Sequence, residues 1–316
     1  MEIIRAGRQK SAPAQQIVLA LGNFDGVHRG HQALINEARR EAAQRGAMAG
    51  VLTFEPHPRE FFASDAPPFR LTSFRAKCLQ LSEAGVEVMA VGKFGRQMAA
   101  RTADDFINTV LLEQLNVCHV VVGYDFAFGH KRSGNVALLK QRGAELGFGV
   151  SVIEPVQAGG EVCASTRIRD ALWQGDPRRA ARLLGHWWEV DGRIQAGDQR
   201  GRTIGFPTAN VPLGNYIQPQ FGVYAIRIGW QENGDVAWHD GVANLGRRPT
   251  FDKSDVLLEA HVFDFNGDLY GRHCRVQFID FLRPEMKFDG LDALKAQIQA
   301  DGEKARKILA DPGNPA

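Results

Sequence analysis

Two histidines, His28 and His31, lie among three glycines in the segment LGNFDGVHRGH, residues 21–31. An apolar run precedes this segment and a run with helical spacing follows it, which predicts a turn between a buried strand and a helix. Such a turn favours anions because its backbone N–H groups are unpaired and glycine lets a phosphate approach them closely. With two imidazoles as further donors, the pattern indicates a phosphate-binding site.

Two other interpretations of this segment stay open on the residues alone. His-x-x-His could form half of a metal site, although no further ligand follows on the same element at the required spacing. The loop could also be an ordinary strand-to-helix turn with surface histidines. The density of glycine and histidine favours the phosphate site over both.

The composition is that of an ordinary globular protein of two domains. The chain has 316 residues, of which 44% are apolar and 23% charged, and its net charge of +2 does not favour nucleic acid or a membrane as a partner. The four cysteines form no Cys-x-x-Cys pair, and we find neither a leader peptide nor a membrane-length apolar run. We therefore expect a cytoplasmic protein, either a monomer or a transient homo-oligomer.

Strands and helices alternate through the first half of the chain, to about residue 175. This alternation predicts a mostly parallel sheet covered by helices on both faces, with ligands bound outside the carboxyl ends of its strands. The unusual loops fall at those ends. The predicted strands are 17–21, 47–54, 86–91, 118–123 and 149–153, the helices include 75–83, 103–115 and 135–146, and the loops are 22–31, 55–58 and 123–134.

A second candidate anion site follows at residues 163–173, in CASTRIRDALW. Ser165 is a good N-cap, so a capped helix without further function is one interpretation. The hydroxyls of Ser165 and Thr166 at a helix N-terminus, with Arg169 one turn on, could instead hold the far phosphates of a triphosphate.

The second half of the chain changes to strand-like runs separated by Gly, Asn and Asp turns. This pattern predicts a closed antiparallel barrel with a terminal helix. The predicted strands are 187–194, 221–230, 236–245, 256–265 and 273–282, and the helix is 291–309.

A glycine-rich segment, GDQRGRTIGFPTAN at residues 197–210, carries the chemistry of this half. Thr208 and Asn210 occupy alternate positions of a strand, so both side chains can reach one Mg²⁺ or its waters. Gly201 and Gly205 lie in a loop whose N–H groups can cover phosphates, although an ordinary hairpin loop is the alternative. Glu259 is an acidic residue within an apolar run, and a position on the solvent face would also explain it.

These motifs resemble the bacterial bifunctional riboflavin kinase/FAD synthetases over nearly the whole chain. The resemblance rests on the His-x-Gly-His loop, GYDFAFG at 123–129, STRIR at 165–169, the glycine-rich PTAN segment, GVANLGRRPT at 241–250, LEAHVFDF at 258–265 and RPEMKF at 283–288. Ala127, Asn135 and Ala164 depart from the family pattern.

The resemblance implies a Rossmann-like nucleotidyltransferase domain over residues 1–185 and a riboflavin kinase barrel of six antiparallel strands over 186–316. It implies Mg²⁺-dependent use of ATP, first to phosphorylate riboflavin to FMN and then to adenylylate FMN to FAD. Glu259 would be the general base of the kinase, and His28 and His31 would contact the ATP phosphates. Further ATP contacts are expected from Gly22, Asn23, Gly30, Ser165, Thr166, Arg169, Gly201 and Gly205, and flavin contacts from Pro56, Pro58, Asp125, Phe126, Phe128 and Arg283.

Three alternatives remain at this point. The chain could be a monofunctional riboflavin kinase whose first domain is degenerate, or a flavin-binding protein without catalysis. A nucleic-acid-binding barrel is disfavoured because no basic stripe with stacking aromatic residues is present.

Overall fold

The computed structural model describes residues 1–6, 12–63, 65–196, 206–232, 234–249 and 254–313. The chain divides into two compact units: the first comprises Met1–Ala66 and Phe74–Cys163, and the second comprises Pro67–Ser73 and Ala164–Ala316. Residues 164–185 therefore group with the second unit. The predicted boundary between the two functional domains at residue 185 stays a prediction.

A six-stranded parallel sheet forms the centre of the first unit, as predicted. From one edge to the other its strands are β1 (Glu2–Ala6), β4 (Val88–Lys93), β3 (Met48–Glu55), β2 (Ile17–Leu21), β5 (Val117–Gly123) and β8 (Gly149–Ile153). Two short antiparallel pairs lie outside it, β6 (Ala127–Phe128) with β7 (Gly134–Asn135) and β9 (Gln157–Ala158) with β10 (Glu161–Val162). Every residue of β2 is buried, as expected for a central strand covered on both faces.

Helices connect the strands of this sheet. They are α1 (Arg29–Arg45), α2 (Pro58–Phe62), α3 (Phe74–Glu83), α4 (Arg96–Ala99), α5 (Ala103–Asp105), a π-helix (Phe106–Gln114), a 3₁₀ turn (His130–Arg132) and α6 (Val136–Leu146). Helix α1 buries Leu34, Ile35 and Ala38, the face that its spacing predicts. It ends at Gly46, whose positive φ of 63° suits a left-handed C-cap.

Two elements of the first unit differ from the prediction. The helix predicted over 103–115 is a short α-helix followed by a π-helix, whose wider turn buries four apolar side chains together, those of Phe106, Ile107, Val110 and Leu111. Sequence patterning also misses the edge strand β1, because only Ile4 and Ala6 are buried and the apolar signal is weak.

A six-stranded antiparallel barrel forms most of the second unit, also as predicted. In spatial order its strands are β11 (Glu189–Arg193), β16 (His273–Arg283), β13 (Gly222–Glu232), β14 (Asp235–Pro249), β15 (Ser254–Val262) and β12 (Ala209–Pro212). A bridge between Gln195 and Asn210 connects the two ends of this order, so the barrel is nearly closed.

The helices of the second unit are α7 (Ser165–Trp173), α8 (Pro177–Leu184) and α9 (Leu291–Ala310). Helix α9 confirms the predicted terminal helix and packs Ala305 and Leu309 into an apolar cluster with residues of the barrel. The segment 67–73 joins this unit through its backbone, since the indole N–H of Trp188 donates to the carbonyl of Leu71 at 2.9 Å. Within the described ranges, no helix is both long and apolar enough to cross a membrane.

Candidate functional site

The turn between β2 and α1 is buried and conformationally strained. We call residues 22–31, which comprise this turn and the start of α1, the histidine loop. Phe24 and Val27 adopt positive φ angles of 49° and 38°, and both side chains are buried. The side-chain amide of Gln32 donates to the carbonyl of Val27 at 2.9 Å and holds the turn. A strained backbone conformation persists only where the surrounding packing holds it in place, and such conformations are concentrated at functional sites.

His28 and His31 lie against each other at the start of α1. His28 is the N-cap, and its Nδ1 accepts a hydrogen bond from the backbone N–H of His31 at 3.4 Å. A neutral His28 ring therefore carries its proton on Nε2. The two rings stack with their centroids 3.7 Å apart. The structure thus places both imidazoles at the N-terminus of a long helix, and their role in phosphate binding stays a prediction.

Gly30 leaves room for this packing. A Cβ atom at position 30 would lie 3.1 Å from atoms of the His28 ring and 3.2 Å from the carbonyl oxygen of Cys163. Gly22 is less constrained, because its Cβ would meet the Phe24 ring at an ordinary contact distance. Asn23 contributes its backbone carbonyl, which accepts a hydrogen bond from the hydroxyl of Thr53 at 3.0 Å.

The second predicted loop, residues 55–58, begins at Glu55, the last residue of β3; we call it the flavin loop because the family resemblance predicts flavin contacts there. Its conformation is held by His57, whose Nδ1 accepts from the N–H of Arg59 and whose own N–H donates to the carboxylate of Glu60. Pro56 is exposed, and Pro58 is the first residue of α2. Because β2 and β3 are parallel neighbours, the histidine loop and the flavin loop leave the same edge of the sheet.

An exposed aromatic cluster lies just beyond the flavin loop. Phe61, Phe62 and Phe94 contact one another edge to face at centroid distances of 5.2 to 5.6 Å, and Phe62 is 70% exposed. An exposed phenyl ring next to a predicted binding loop is suited to a flat aromatic ligand. The sequence analysis does not select Phe62, although the Phe-Phe pair directly after the loop is a signal that could have done so.

In the third loop, residues 123–134, the residues predicted to contact a flavin differ in how deeply they are buried. Phe128 is buried in the core of the first unit, where its ring lies 5.4 Å from that of Phe106. Phe126 stacks on Phe128 at 5.6 Å and is half-buried, while Asp125 is exposed. Asn135 caps α6 by accepting the N–H of Leu138 at 3.0 Å. Phe126 and Asp125 are therefore more accessible to a ligand than Phe128.

The residues of the second candidate anion site belong to the second unit. The prediction that Ser165 caps α7 is wrong by one position, because Ala164 is the N-cap and Ser165 is the first helical residue. Thr166 is exposed, and Arg169 is buried, with Nε donating to the carbonyl of Phe69 at 2.8 Å. Binding of distant phosphates by these three residues stays a prediction.

Three polar side chains lie side by side on the barrel. In the strand register Asn210 of β12 is opposite Glu259 of β15, and Glu259 is opposite Asn244 of β14. Directly opposed residues point to the same face of a sheet, so the three form one row, which we call the Asn–Glu–Asn row. The adjacent row belongs to the core, since Leu258 and Val211 are fully buried.

The surroundings of Asn210 fit a metal ligand. Asn210 is only 4% exposed, and its Oδ1 has no hydrogen-bond partner among the described residues. A buried acceptor left unpaired costs about 1–3 kcal/mol, so a ligand is the expected partner. Thr208 lies two residues earlier, just before β12, and is half-buried. Amide and hydroxyl oxygens are ligands that Mg²⁺ accepts. Gly201 and Gly205 lie outside the described residues.

Arg283, at the end of β16, is held by α9. Its Nε and Nη2 donate to the carboxylate of Asp301 at 2.8 to 3.1 Å, and Asp301 is buried. The guanidinium also lies 5.7 Å from the centre of the Phe288 ring. Arg283 therefore fixes the segment 283–288 to α9, and its direct contact with a flavin stays a prediction.

Comparison with known proteins matches both halves of the chain. The profile of the FAD synthetase family matches residues 10–167, and that of the riboflavin kinase family matches residues 184–309. The bifunctional riboflavin kinase/FMN adenylyltransferase of Escherichia coli K12 is 43% identical over 98% of each chain. The protein of that name from Bacillus subtilis 168 is 38% identical over 93% of each chain.

The chain belongs to the bifunctional riboflavin kinase/FMN adenylyltransferase family. A solved structure described as a macrolide-efflux protein from Streptococcus pneumoniae also matches, with a TM-score of 0.87, 31% identity and coverage of 97% of this chain and 99% of that one. In this family member the structure adds Asn244 to the residues selected from the sequence. Its signal is its place in GVANLGRRPT, but only the strand register shows that it faces Glu259.

Proposed function

We propose how the residues of each half carry out the two reactions of a riboflavin kinase/FMN adenylyltransferase. The chain phosphorylates riboflavin with ATP to give FMN, and it transfers AMP from a second ATP to FMN to give FAD and pyrophosphate. The observation that carries the kinase assignment is the Asn–Glu–Asn row, in which a half-buried carboxylate lies between two amides.

In the kinase reaction, Glu259 accepts the proton of the ribityl 5′-hydroxyl as the hydroxyl oxygen attacks the γ-phosphorus of ATP, and the bond from that phosphorus to the bridging oxygen breaks to release ADP. The carboxylate suits this role because it makes no hydrogen bond or ion pair with the described residues. Thr208 and Asn210 would hold Mg²⁺, which when bound neutralises charge on the ATP phosphates. Asn244, on the other side of Glu259, can donate to the carboxylate or to a substrate hydroxyl.

In the adenylyl transfer, a phosphate oxygen of FMN forms a bond to the α-phosphorus of ATP and the bond to the pyrophosphate oxygen breaks. No enzyme nucleophile is needed, and catalysis rests on positioning and on donors for the developing charge. The Nε2–H of His28 and the ring of His31 supply such donors at the start of α1. The flavin lies between the flavin loop and the loop of Asp125 and Phe126.

Two expectations about the setting of the protein belong to the same proposal. All four cysteines are free thiols, which supports a reducing, cytoplasmic environment. Small molecules are its substrates, and we propose that neither nucleic acid nor a membrane is needed for turnover.

The test is a time course with riboflavin, ATP and Mg²⁺, followed by chromatography of the flavins. FMN should rise first and then give way to FAD. Glu259→Gln should abolish FMN formation from riboflavin yet still convert added FMN to FAD, and His31→Ala should accumulate FMN. Glu303→Gln on the exposed face of α9 is the matched control and should retain both reactions.

Each alternative gives a different time course. FMN that accumulates in the unmodified protein, with no FAD, would identify a monofunctional kinase. Flavin binding with no turnover of either substrate would identify a binding protein.

A further inference from the structure

Lys77 is a fully buried lysine in the middle of α3. Its side chain is 0% exposed, and it is among the largest fully buried side chains of the described residues. A lysine ammonium is strongly hydrated in water, so its complete burial is unfavourable unless specific partners replace the water. The sequence places Lys77 four residues before Leu81, which is also buried, so both lie on the face of α3 turned to the core.

The partners of Lys77 lie on β3. Its Nζ donates to Oε1 of Glu55 at 3.1 Å and to Oγ1 of Thr53 at 3.5 Å. Thr53 is itself fully buried, and its hydroxyl donates onward to the backbone carbonyl of Asn23 at 3.0 Å. One ammonium group is therefore connected to Glu55 directly and to Asn23 through a single hydroxyl.

These two connections end in different substrate loops. Asn23 belongs to the histidine loop, and Glu55 is the first residue of the flavin loop. The loops follow neighbouring parallel strands, β2 and β3, whose pairing continues to Leu21 and Leu52, and the N–H of Gly22 donates to the carbonyl of Leu52 at 3.2 Å. Beyond that point, Thr53 and Lys77 supply side-chain hydrogen bonds that link the two loops.

We propose that Lys77 is a positioning residue for adenylyl transfer, which holds the histidine loop and the flavin loop at a fixed separation through Thr53 and Glu55. This inference rests on the proposed function, in which one loop holds the ATP phosphates and the other contacts FMN. The attacking oxygen must be in line with the bond that breaks, and a displacement of about 1 Å can lower the rate about a hundredfold. Lys77 is fully buried and its charge is paired with that of Glu55, so it is suited to positioning rather than to direct contact with substrate.

The test uses Lys77→Met in the full-length protein, which keeps the length of the side chain and removes its donors. We expect kcat for conversion of FMN to FAD, at saturating ATP and FMN, to fall about ten- to a hundredfold. Riboflavin phosphorylation, measured on the same sample, should stay within about twofold because its residues lie in the other unit. Lys140→Met, at an exposed position of α6, is the matched control and should leave both reactions unchanged.

Thr53→Val is the second variant, because it preserves the shape of the side chain and the ion pair but removes the link to Asn23. It should lower the same kcat, and the double variant should lose little more than the larger single loss, since both changes break one path. All rates are measured where circular dichroism shows a fully folded chain. A purely structural role would then leave kcat at the unmodified value.

The outcomes separate the two proposals. Unmodified protein that makes no FAD from FMN contradicts the adenylyl-transfer function itself. If the unmodified protein makes FAD but the folded Thr53→Val or Lys77→Met protein keeps the same kcat, only the proposed role of Lys77 is overturned. If Lys77→Met does not fold, the kcat of Thr53→Val decides.

Discussion

Buried polar side chains are the residues that most clearly point to function in this protein. Asn210 and Lys77 are each nearly or fully removed from solvent, although neither is needed to complete an apolar core. The amide oxygen of Asn210 has no partner among the described residues, while the ammonium of Lys77 is hydrogen-bonded to Thr53 and Glu55 of β3. The first arrangement fits a ligand, and the second fits a residue that positions others.

Removing the amide of Asn210 should lower kinase activity without lowering the stability of the fold. Asn210→Ala deletes a buried acceptor whose lack of a partner costs about 1–3 kcal/mol, so we expect the melting temperature to stay the same or rise. Riboflavin phosphorylation should fall at least tenfold, with more Mg²⁺ needed for half-maximal rate, because a metal ligand is lost. Thermal unfolding and Mg²⁺ titrations of the kinase rate measure the two effects. A variant with an unchanged Mg²⁺ requirement would argue against a metal role for Asn210.

His119 predicts a pH dependence of stability for the first unit. Burial lowers the pKa of His119, with Arg45 acting in the same direction and Glu41 and Glu37 opposing. Its Nε2 lies 2.9 Å from the hydroxyl of Ser151. In the unfolded chain the pKa is about 6.5, so below that pH the unfolded state binds a proton that the folded state does not, and the free energy of unfolding decreases.

We therefore expect the unmodified protein to lose stability between about pH 7 and pH 5.5. His119→Gln should lose less over that range, because glutamine does not titrate there. Chemical denaturation at each pH, followed by the circular dichroism of the helices, measures the difference. Parallel pH profiles for the two proteins would show that His119 is not the responsible group.

At the level of secondary structure, the ends of neighbouring strands decide which loops can share a substrate. The sheet of the first unit places β2 beside β3, so the loops that follow them leave one edge together. In the barrel, β15 lies between β12 and β14, which aligns Asn210, Glu259 and Asn244 across three strands. In the proposed function, substrate binding in each half therefore depends on strand order as much as on the residues themselves.

A methyl group at Gly30 should disturb the first turn of α1. Gly30→Ala brings a Cβ within 3.1 Å of the His28 ring and 3.2 Å of the Cys163 carbonyl, so the ring must shift. We expect adenylyl transfer to fall about tenfold or more, with riboflavin phosphorylation unchanged. Gly95→Ala, where a Cβ meets nothing within 4 Å, is the matched control. Equal FMN adenylylation rates in both variants would mean that the position of His28 is not critical.

At the scale of the whole molecule, the two proposed reactions use separate sets of residues. The residues proposed for phosphorylation lie in the second unit, while the histidine loop and the flavin loop lie in the first. FMN is the product of one reaction and the substrate of the other. A chain that has lost one activity should therefore still supply or consume FMN for another chain.

Complementation in solution tests this separation. A mixture of Glu259→Gln and His31→Ala proteins should convert riboflavin to FAD, although neither protein does so alone. The FAD yield should rise with the concentration of the His31→Ala protein, which makes the FMN. A mixture that makes FMN but no FAD, while added FMN is still adenylylated, would show that FMN does not pass between chains.

The sequence by itself determined the features that depend on local spacing. Fully buried apolar runs alternating with helical patterns predict the parallel sheet, alternating runs predict the barrel, and three-residue spacing at a helix start brings His28 and His31 together. Each of these follows from a period or a cap within a short stretch of chain. The sequence selected Glu259 and Asn210 as candidate site residues without showing that they are neighbours.

Only the tertiary structure decided how distant segments meet. The Asn–Glu–Asn row depends on the register of three strands, and a shift of one residue would turn Glu259 into the core. The same kind of long-range packing determines three other features: the burial of Lys77, the grouping of segment 67–73 with the second unit and the position of Phe128 in the core. Register and burial are properties of contacts between distant segments, and no local pattern encodes them.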